Sequence, residues 1–366
     1  MKAVFILPSL AGGGAERVVL DISRALNVDP EIEVTLFVMK KKGVLINQLP
    51  ENTNIVFGSE SESSIRALDF ENFRIFIRLL AIALKNDSII GGMETYPTYF
   101  GFIVSGVLRK RFISWIHTDI GQYLLLQPKW HTYMNLLIYK KIHLVVLPSN
   151  TAQSSFTELT NGSRRSMVIS NPINIKKINE KACLNIPVQH RLIFSKPVIV
   201  GIGRLSTHKN FRQLIEAHSI LKSMGMDYNL LILGEGEERQ KLEEFAHANG
   251  VGDSVFLLGF VENPYKYLKK SSVLAVPSKL EGFSLTIAEA LALDVPVVSN
   301  DCPSGPRELL LDGELGDLIT TGDSRAMAHA LRNVLENSIC RSTSHAVQKF
   351  DLNEVTSQWK NLIMGK

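Results

Sequence analysis

The stretch VLAVPSKLEGFSLTIAEALA, residues 273–292, decides the fold of the second half of this chain. It begins with an apolar run typical of a buried parallel strand, VLAVP (273–277), and continues through a short loop into helical periodicity from Ser284 to Leu293. Ser284 is the predicted N-cap of that helix, because serine side chains commonly cap helices. A helix that starts at the carboxyl end of a strand directs its free N–H groups towards the space above the sheet. The stretch therefore predicts a parallel α/β fold with an anion site at this point.

The same alternation of apolar runs and amphipathic stretches extends through both halves of the chain, which predicts two doubly wound, Rossmann-like domains. The length of 366 residues also favours two domains over one. The predicted boundaries are 1–175 for the first domain, 176–342 for the second, and 343–366 for a terminal helix that returns to the first domain. Residues 170–190 are polar and turn-rich and are the predicted linker. The other predicted strands are AVFIL (3–7), EVTLFV (33–38), SII (88–90), FISWI (112–116), LVVL (144–147), PVIVGI (197–202), YNLLIL (228–233), SVFLL (254–258) and VPVVS (295–299).

Composition places the chain among globular proteins, with 45% hydrophobic and 21% charged residues. Its three cysteines, Cys183, Cys302 and Cys340, are scattered without a CxxC pair, which predicts free thiols and no cysteine metal site. No uncharged apolar run reaches the roughly 18 residues that a spanning helix needs. A cytoplasmic protein is the expectation.

The net charge of +4 is distributed unevenly. Residues 1–190 contain 21 Lys and Arg against 15 Asp and Glu, a balance of +6, whereas residues 191–366 contain 19 against 21, a balance of −2. Two interpretations stay open: a solvated basic surface, or a surface that binds an anionic membrane. Nucleic acid is not expected as a partner, because no aromatic residues interleave with the basic ones. The basic clusters are Lys40-Lys41-Lys42, Arg109-Lys110-Arg111, Lys140-Lys141 and Arg164-Arg165.

The glycine-rich turn at residues 12–14 argues against a nicotinamide cofactor. A dinucleotide-binding turn has the pattern GxGxxG and an acidic residue at the end of the second strand. Here Arg17 stands where the third glycine belongs, and the second strand runs into three lysines. Hydride transfer is therefore not the predicted chemistry.

Two further segments predict a site for a diphosphate and a sugar. GIGRLSTHKNF (201–211) follows a strand, and it can direct Arg204 and Lys209 towards a diphosphate where no metal is present. In EGFSLTIAEA (281–290), Glu281 precedes the helix and can reach a neutral polyol, whereas Glu289 lies over one turn along it and can accept hydrogen bonds from a ribose. Two glutamates on a helix are usually only surface residues, so the prediction depends on this strand–loop–helix setting.

These motifs resemble those of retaining, nucleotide-sugar-dependent glycosyltransferases with the GT-B fold, particularly their large fourth family. EGFSLTIAEA resembles the family's E-x7-E motif, and GRLSTHKNF (203–211) resembles its GR(L/F)xxxKN segment. The resemblance covers essentially the whole chain. It implies two Rossmann-like domains facing across a cleft, and sugar transfer with retention of configuration and without a metal or other cofactor. Further segments that match in kind and order are LILGEGEERQKLE (231–243), VFLLGFV (255–261) and GGGAE (12–16).

The resemblance also implies roles for individual residues. Catalysis would depend on cations at the diphosphate, a histidine near the transferred sugar and a carboxylate on the sugar hydroxyls. The catalytic residues implied in this way are Arg204, Lys209, His117 and Glu281. The implied donor-binding residues are Gly13, Gly14, Gly203, Phe260, Val261, Phe283, Ser284, Leu285 and Glu289.

Two residues of the segment SWIHTDI (114–120) leave alternatives open. His117 matches the family's histidine position, but a single histidine after a strand is as often a structural residue. The role of Asp119 stays open.

The implied function is transfer of a hexose or N-acetylhexosamine, with UDP as the expected donor nucleotide. The segment CPSGPREL (302–309) resembles an SGPxE variant found in bacterial enzymes that build O-antigens, capsules and lipopolysaccharide. It favours a glycan acceptor that is lipid-linked, reached by an enzyme that is peripheral on the inner face of the cytoplasmic membrane. The alternatives are a UDP-sugar epimerase or hydrolase on the same fold, and a non-catalytic sugar-nucleotide-binding protein.

Overall fold

The computed structural model describes residues 1–49, 54–61, 70–125, 127, 129–162, 165–337 and 342–365. The chain divides into two compact units: unit 1 comprises Met1–Pro172 and Leu352–Lys366, and unit 2 comprises Ile173–Asp351. Each unit contains one parallel sheet with helices between successive strands, which is the predicted doubly wound, Rossmann-like organisation.

Unit 1 contains a seven-stranded sheet in the order β3-β2-β1-β4-β5-β6-β7. All five strands predicted in this half are present. The two that the sequence did not predict, β3 and β7, are the edge strands, and their polar residues weaken the apolar signal. The strands are β1 (Lys2–Leu7), β2 (Glu33–Lys40), β3 (Asn54–Ser59), β4 (Ser88–Gly91), β5 (Arg111–Trp115), β6 (Leu144–Leu147) and β7 (Arg165–Val168).

The helices of unit 1 connect these strands. α1 has apolar residues at helical spacing, and Val18, Val19, Ile22 and Leu26 are buried by packing against the sheet. The strand order moves in opposite directions before and after β3, so right-handed crossovers place α1 on one face and the later helices on the other. The helices are α1 (Gly14–Leu26), α2 (Phe70–Leu84), α3 (Tyr96–Leu108), α4 (Ile120–Leu125), α5 (Lys129–Tyr139) and α6 (Asn150–Leu159).

Unit 2 begins with a helix in the segment that the sequence analysis assigned to a linker. The boundary between the units, at Pro172 and Ile173, lies within that segment, but the linker prediction was wrong for the residues that follow it. The helix α7 (Ile175–Ala182) buries Ile178 and Ala182 in the core of unit 2, and Ile186 follows them into it. The segment is polar because most of its residues face solvent. Its few apolar residues recur at helical spacing and are buried.

Unit 2 contains a six-stranded parallel sheet in the order β10-β9-β8-β11-β12-β13. The five strands predicted in this half are present, and the unpredicted β13 has only three residues at the sheet edge. The strands are β8 (Val198–Ile202), β9 (Asn229–Leu233), β10 (Val255–Gly259), β11 (Val273–Val276), β12 (Val297–Asn300) and β13 (Asp317–Ile319). The remaining helices are α8 (Phe211–Ser223), α9 (Arg239–Ala248), α10 (Tyr265–Lys270), α11 (Leu285–Ala292), α12 (Pro306–Leu309) and α13 (Ser324–Asn337).

The segment that returns to unit 1 begins at Leu352, nine residues later than the predicted 343. Residues 344–350 form a 3-10 helix that stays with unit 2, because Val347 and Phe350 pack into its core. The Thr343 hydroxyl also donates to the carbonyl oxygen of Leu291 at 2.8 Å.

The final helix, α14 (Leu352–Met364), packs on the α1 side of unit 1. Its fully buried Trp359 lies against Trp115, with ring centroids 4.3 Å apart, and against Phe5 at 5.9 Å. Lys360 forms ion pairs with Asp29 and, at 2.8 Å, with Glu31. The predicted return of a terminal helix to the first domain is therefore present from Leu352 onwards.

Two of the three predicted free thiols lie within the described residues: Cys183 is exposed, Cys302 is buried, and neither forms a disulfide. Burial raises the pKa of the Cys302 thiol to about 12. Cys340 lies outside the described residues. In the part of the chain that the structure describes, no helix is both long and apolar enough to cross a membrane.

We expect Trp359→Ala to lower the free energy of unfolding of unit 1 by about 3–5 kcal/mol, the usual cost of removing a fully buried tryptophan side chain. Chemical denaturation followed by the fluorescence of the remaining tryptophans measures this change. Asn361→Ala is the matched control, because Asn361 is exposed on the same helix and should change stability by less than about 0.5 kcal/mol. Equal stability of the two variants would contradict the packing of α14 on unit 1.

Candidate active site

The candidate site in unit 2 lies where the strand order reverses, beside β8. β8 pairs with β9 on one side and with β11 on the other. The loops that follow β8 and β11 therefore leave the sheet in diverging directions and open a crevice between them, where ligands of such sheets bind. Residues 203–210 form the first loop and residues 277–284 form the second. Arg204, Lys209 and Glu281 thus lie at one topological position of the sheet.

Lys209 and Glu281 form an ion pair across this crevice. The Lys209 Nζ lies 2.6 Å from Glu281 Oε1, and the Ser278 hydroxyl donates to the same oxygen at 2.7 Å. Glu281 is only 8% exposed, so it needs these partners to remain charged in the interior. The sequence analysis assigned Lys209 to the diphosphate and Glu281 to sugar hydroxyls. It predicted neither their pairing nor the role of Ser278.

A buried amide pair fixes the loop from which Ser278 and Glu281 extend. Asn300, at the end of β12, donates from Nδ2 to the carbonyl oxygen of Pro277 at 2.7 Å and to Gln213 Oε1 at 2.9 Å. Gln213 in turn donates to Asn300 Oδ1 at 2.9 Å. Both side chains are almost fully buried and have these mutual partners, as buried polar groups require. The loop after β11 is therefore held by its neighbours in the sheet.

Arg204 lies in the other loop, beside Gly203, and its side chain is exposed. Within the described residues the guanidinium makes no hydrogen bond or ion pair with protein. The neighbouring Leu205 is fully buried and holds the loop in place. Gly234 at the end of β9 allows this arrangement, because a Cβ there would overlap the carbonyl oxygen of Gly203. Arg204 is thus an available cation on a fixed backbone.

The residues at the start of α11 open the first turn of a helix, whose N–H groups have no partner inside the helix. Phe283 is buried and packs edge-on against Phe350, with ring centroids 5.0 Å apart. The predicted capping role of Ser284 was wrong: its side chain makes no cap hydrogen bond and lies 3.4 Å from the Thr286 hydroxyl. Ser284 adopts a left-handed backbone conformation, with φ of 68°, which turns its side chain away from the capping position. Leu285 is the first helical residue.

Glu289 lies on the second turn of α11 and is partly buried. The hydroxyl of Tyr265, the first residue of α10, donates to Glu289 Oε1 at 3.1 Å. Val261 and Tyr265 pack against the same core, and Phe260 is 40% exposed just after β10. The sequence analysis missed Tyr265, because no motif in the sequence marks it.

Three predicted residues belong to unit 1. Gly13 is the N-cap of α1 and Gly14 is its first residue, directly after the loop that follows β1. His117 follows β5, at the carboxyl edge of the same sheet. Because β1 adjoins β4 and β4 adjoins β5 in a parallel sheet, the three residues share one edge of the sheet.

Both ring nitrogens of His117 have partners. Nε2 lies 3.0 Å from the carbonyl oxygen of Gly92, and Nδ1 lies 3.2 Å from Oδ1 of the Asn171 side chain. Burial lowers the pKa of His117 to about 4, so the imidazole is neutral near pH 7. A carbonyl oxygen can only accept, so the single proton belongs on Nε2, and Nδ1 accepts only when the Asn171 amide is turned so that its nitrogen faces the ring. His117 is a neutral group fixed in orientation.

Glu94 is a site residue that the sequence analysis missed. It follows β4, and its Oε2 accepts a hydrogen bond from the backbone N–H of His117 at 3.2 Å. Burial raises the pKa of this carboxyl, and the nearby Glu16 carboxylate raises it further. The signal available in the sequence was its position directly after the strand and Gly-Gly of SIIGGME (88–94).

Asp119 has a structural role. This nearly fully buried carboxylate accepts from the Ser155 hydroxyl at 2.6 Å and from the backbone N–H of Gln122 at 3.1 Å. The bond from Gln122 satisfies a free N–H in the first turn of α4. The bond from Ser155 connects the start of α4 to α6. The question left open by the sequence is thus answered by packing. Across the ranges that the structure describes, no group of three or more His, Cys, Asp or Glu residues is placed to hold a metal ion.

The chain is similar to a known protein family and to named relatives. The family model for glycosyl transferases group 1 matches residues 185–349, which lie within unit 2. The chain is 30% identical over 355 residues to a Campylobacter jejuni N-acetylgalactosamine-N,N'-diacetylbacillosaminyl-diphospho-undecaprenol 4-alpha-N-acetylgalactosaminyltransferase, covering 93% of this chain and 92% of that one. A second Campylobacter jejuni alpha-1,4-N-acetyl-D-galactosaminyltransferase, acting on a diNAcBac-PP-undecaprenol glycan, is 25% identical over 99% of this chain and 98% of its own.

The fold also matches solved structures. Anabaena HepE in complex with UDP-glucose aligns over 100% of both chains with a TM-score of 0.82 and 20% sequence identity. The lipopolysaccharide outer core galactosyltransferase WaaB aligns over 100% of this chain and 99% of its own with a TM-score of 0.71 and 18% identity. These likenesses identify the GT-B fold, in agreement with the fold predicted from the sequence.

We expect the imidazole of His117 to stay neutral from pH 8 down to about pH 5, because burial lowers its pKa to about 4. A histidine with a lowered pKa stabilises the fold fully above its unfolded pKa of about 6.5, and that contribution is lost as the pH falls towards 4. NMR titration of the ring nitrogens measures this directly, and His117→Asn assigns the resonance. A titration midpoint near pH 6.5 would contradict the burial of the imidazole and its two hydrogen bonds.

Proposed function

The chain belongs to the group 1 glycosyltransferases, and we propose that it transfers a hexose or N-acetylhexosamine from a nucleotide diphosphate sugar to a lipid-linked glycan in bacterial surface polysaccharide synthesis. The observation that carries the proposal is the end-to-end likeness, at 30% identity, to a transferase whose name specifies a diphospho-undecaprenol acceptor. A second transferase with such an acceptor matches almost the full length of both chains. The chemistry of the site in unit 2 supports the same reaction.

The donor is proposed to be a UDP-sugar with its diphosphate between Arg204 and the start of α11. Arg204 supports this because its guanidinium is exposed and makes no hydrogen bond or ion pair with the described residues, and an arginine fork suits phosphate oxygens. The N–H groups of Phe283, Ser284 and Leu285 add the anion-binding end of a helix. Glu289, oriented by the Tyr265 hydroxyl, would accept hydrogen bonds from the ribose.

Glu281 is proposed to orient the transferred sugar. Its Oε1 is already engaged by Lys209 and Ser278, so Oε2 is the oxygen for sugar hydroxyls. A carboxylate held by an ammonium and a hydroxyl is a poor nucleophile, which supports a mechanism without a glycosyl-enzyme. Lys209 would then contribute positive charge beside the diphosphate while fixing Glu281.

Retention and the absence of a metal or cofactor are parts of the proposal. The acceptor hydroxyl attacks the anomeric carbon on the face from which the nucleotide diphosphate departs. The bond from the anomeric carbon to the phosphate oxygen breaks, and a phosphate oxygen takes the hydroxyl proton. Arg204, Lys209 and the helix N–H groups stabilise the negative charge that develops on the leaving group. His117, neutral and donating to the carbonyl of Gly92, would orient the loop that follows β5.

The experiment that tests the proposal supplies UDP-sugars to the purified protein with and without an undecaprenyl-diphosphate-linked glycan. We expect UDP release that depends on the acceptor, and an α-linked product from an α-linked donor by NMR. Chelating agents should leave the rate unchanged. Release without acceptor would instead support the epimerase or hydrolase alternative. A β-linked product would mean inversion and would contradict the proposed mechanism.

Two substitutions separate leaving-group stabilisation from donor binding. Arg204→Ala should lower kcat about 100-fold, as removal of one preorganised charge stabiliser does. Glu289→Gln should mainly raise the KM for the donor, about 5-fold to 30-fold, because a charge-assisted hydrogen bond to the ribose becomes a neutral one.

Steady-state kinetics with saturating acceptor distinguishes the two effects. Arg325→Ala, an exposed arginine elsewhere in unit 2, is the matched control and should keep wild-type constants. Wild-type kcat in Arg204→Ala would remove that residue from the site.

A further inference from the structure

Glu94 carries a half-buried carboxyl group that the mechanism above does not use. It lies in the loop between β4 and α3, at the carboxyl edge of the sheet in unit 1. Acidic side chains in sheltered positions are normally paired with a cation, because an unpaired charge loses hydration without compensation. Within the described residues no lysine or arginine forms an ion pair with Glu94. The fold gains no ion pair from this carboxyl group, and such groups are typical of functional sites.

Hydrogen bonds on both sides fix the loop that carries Glu94. The backbone N–H of Gly92 donates to the carbonyl oxygen of Ile6 in β1 at 2.9 Å. The Thr98 hydroxyl, in the first turn of α3, donates to the carbonyl oxygen of Met93 at 3.0 Å. The residues before Glu94 are thus held by the sheet and by the helix that follows. The carboxyl group therefore extends from a backbone of fixed position, as a specific binding group requires.

The protein chain around Glu94 uses one of its two carboxyl oxygens. Oε2 accepts from the backbone N–H of His117 at 3.2 Å. Oε1 accepts no hydrogen bond from another residue of the described ranges. The side chain is half-buried and not sealed in the core, so it can be reached from solvent. A carboxylate oxygen accepts hydrogen bonds, so the groups that Glu94 can bind are donors such as hydroxyls.

Tyr123, on α4, is a second polar group beside this carboxyl. Its ring is half-buried, and its pKa is raised by burial and by the charge of Glu94, so the two groups are close enough to interact electrostatically. They form no hydrogen bond with each other, and the Tyr123 hydroxyl has no partner within the described residues. A phenol hydroxyl both donates and accepts. One hydroxyl group of a ligand can therefore donate to Glu94 and accept from Tyr123.

Two further tyrosines lie in the same region. Tyr96 follows Glu94 by two residues, and its ring lies edge-on to that of Tyr99, with ring centroids 6.2 Å apart. The Tyr99 hydroxyl donates to Asn135 Oδ1 at 2.7 Å, which fixes that ring to α5. Burial, with smaller contributions from the phenols of Tyr123 and Tyr96, raises the pKa of Tyr99 to about 12. Half-buried aromatic rings beside a carboxylate suit a sugar, because the rings pack on its C–H groups and the carboxylate accepts from its hydroxyls.

The charge of this region indicates which part of which substrate it binds. The residues proposed for the donor diphosphate and ribose, Arg204 and Glu289, both belong to unit 2. A carboxylate without a cation repels a diphosphate, so Glu94 suits a neutral group. Ligands of doubly wound sheets bind at the carboxyl edge, where Glu94 lies. The substrate that remains to be bound is the acceptor, whose terminal sugar is a neutral group with several hydroxyls.

We propose that Glu94 and Tyr123 bind a hydroxyl group of the terminal sugar of the glycan acceptor and thereby select that sugar. The inference rests on the proposed function, since it requires a glycan acceptor. Glu94 accepts from the bound hydroxyl, Tyr123 donates to it, and the ring of Tyr96 packs on the sugar. This hydroxyl is not the attacking one, whose proton goes to a phosphate oxygen. A sugar without it leaves the carboxylate unpaired, which is how a hydrogen-bonding site rejects an analogue.

The first test is steady-state kinetics of Glu94→Gln with the undecaprenyl-diphosphate-linked glycan that supports turnover. We expect the KM for the acceptor to rise about 5-fold to 30-fold, because a charge-assisted hydrogen bond becomes a neutral one. The KM for the donor should stay within about 2-fold. Glutamine keeps an oxygen for the N–H of His117, so the variant should remain folded by circular dichroism. Glu158→Gln, which removes an exposed carboxylate from α6, is the matched control and should keep wild-type constants.

The second test identifies the bound hydroxyl with acceptor analogues that each lack one hydroxyl of the terminal sugar. One analogue should have the same KM with wild type and Glu94→Gln, because it lacks the hydroxyl that Glu94 binds. The others should keep the difference. Tyr123→Phe should raise the acceptor KM about 3-fold to 10-fold, with the same dependence on that hydroxyl. Its effect should not add to that of Glu94→Gln, since both residues bind one group.

Several results would overturn the proposal. They are an unchanged acceptor KM in Glu94→Gln, a rise in the KM for the donor instead, and a fall in kcat alone. An equal penalty for every analogue would mean that Glu94 is only structural. If Glu94→Gln does not fold, Tyr123→Phe with the analogues decides, and a Tyr123→Phe effect that is independent of all hydroxyls overturns the proposal.

Calorimetric titration of the detergent-solubilised glycan into the protein, without donor, separates this inference from the proposed function. Wild type that binds the glycan more tightly than Glu94→Gln does, but transfers no sugar to it, would contradict the proposed function and not the acceptor site. Wild type that transfers sugar while both variants bind the glycan equally well would contradict the acceptor site and not the proposed function.

Discussion

Parallel pairing of every strand in both sheets is the constraint on which the candidate site depends. It brings the carboxyl ends of all strands to one edge, and the reversal of strand order beside β8 separates the loops that follow β8 and β11. Lys209 and Glu281, 72 positions apart in the chain, therefore meet at 2.6 Å. The buried Asn300–Gln213 pair then fixes the second loop. The position of the candidate site is thus a property of the sheet.

The positive charge of unit 1 has two distinct uses. Lys40, Lys110 and Arg111 satisfy a carboxylate or the carbonyl ends of helices, and their charge contributes to folding. Arg109 and Lys141 line a pocket beside exposed apolar side chains, and their charge is available to a ligand. The net charge calculated for residues 1–190 does not distinguish cations with protein partners from cations without them. Only their hydrogen-bond partners distinguish the cations that stabilise the fold from those that are available to a ligand.

The sequence predicted the elements whose signal is local. Strands such as VIVGI (198–202) and LVVL (144–147) are continuous apolar runs, because both faces of a parallel sheet are covered. The E-x7-E and GRLSTHKNF segments resemble motifs of a known family, and that resemblance implied the family and its GT-B fold. The edge strands β3, β7 and β13 were missed, since edge strands are short or polar and bury less. The segment 170–190 was misjudged because its overall polarity concealed a helical repeat of few apolar residues.

The sequence by itself determined the two parallel α/β units and which loops carry the candidate site, because periodicity and motif spacing are properties of neighbouring residues. The family followed from the resemblance of its motifs to known ones. Tertiary structure alone decided the partners. Lys209 pairs with Glu281, and the Tyr265 hydroxyl donates to Glu289. The Asp119 carboxylate bonds to Ser155, and the imidazole of His117 is buried and neutral. Ser284 does not cap the helix as predicted, because its backbone lies in the left-handed region. These contacts depend on residues from distant parts of the chain and on the burial that results when they meet. A local sequence pattern contains no information about either.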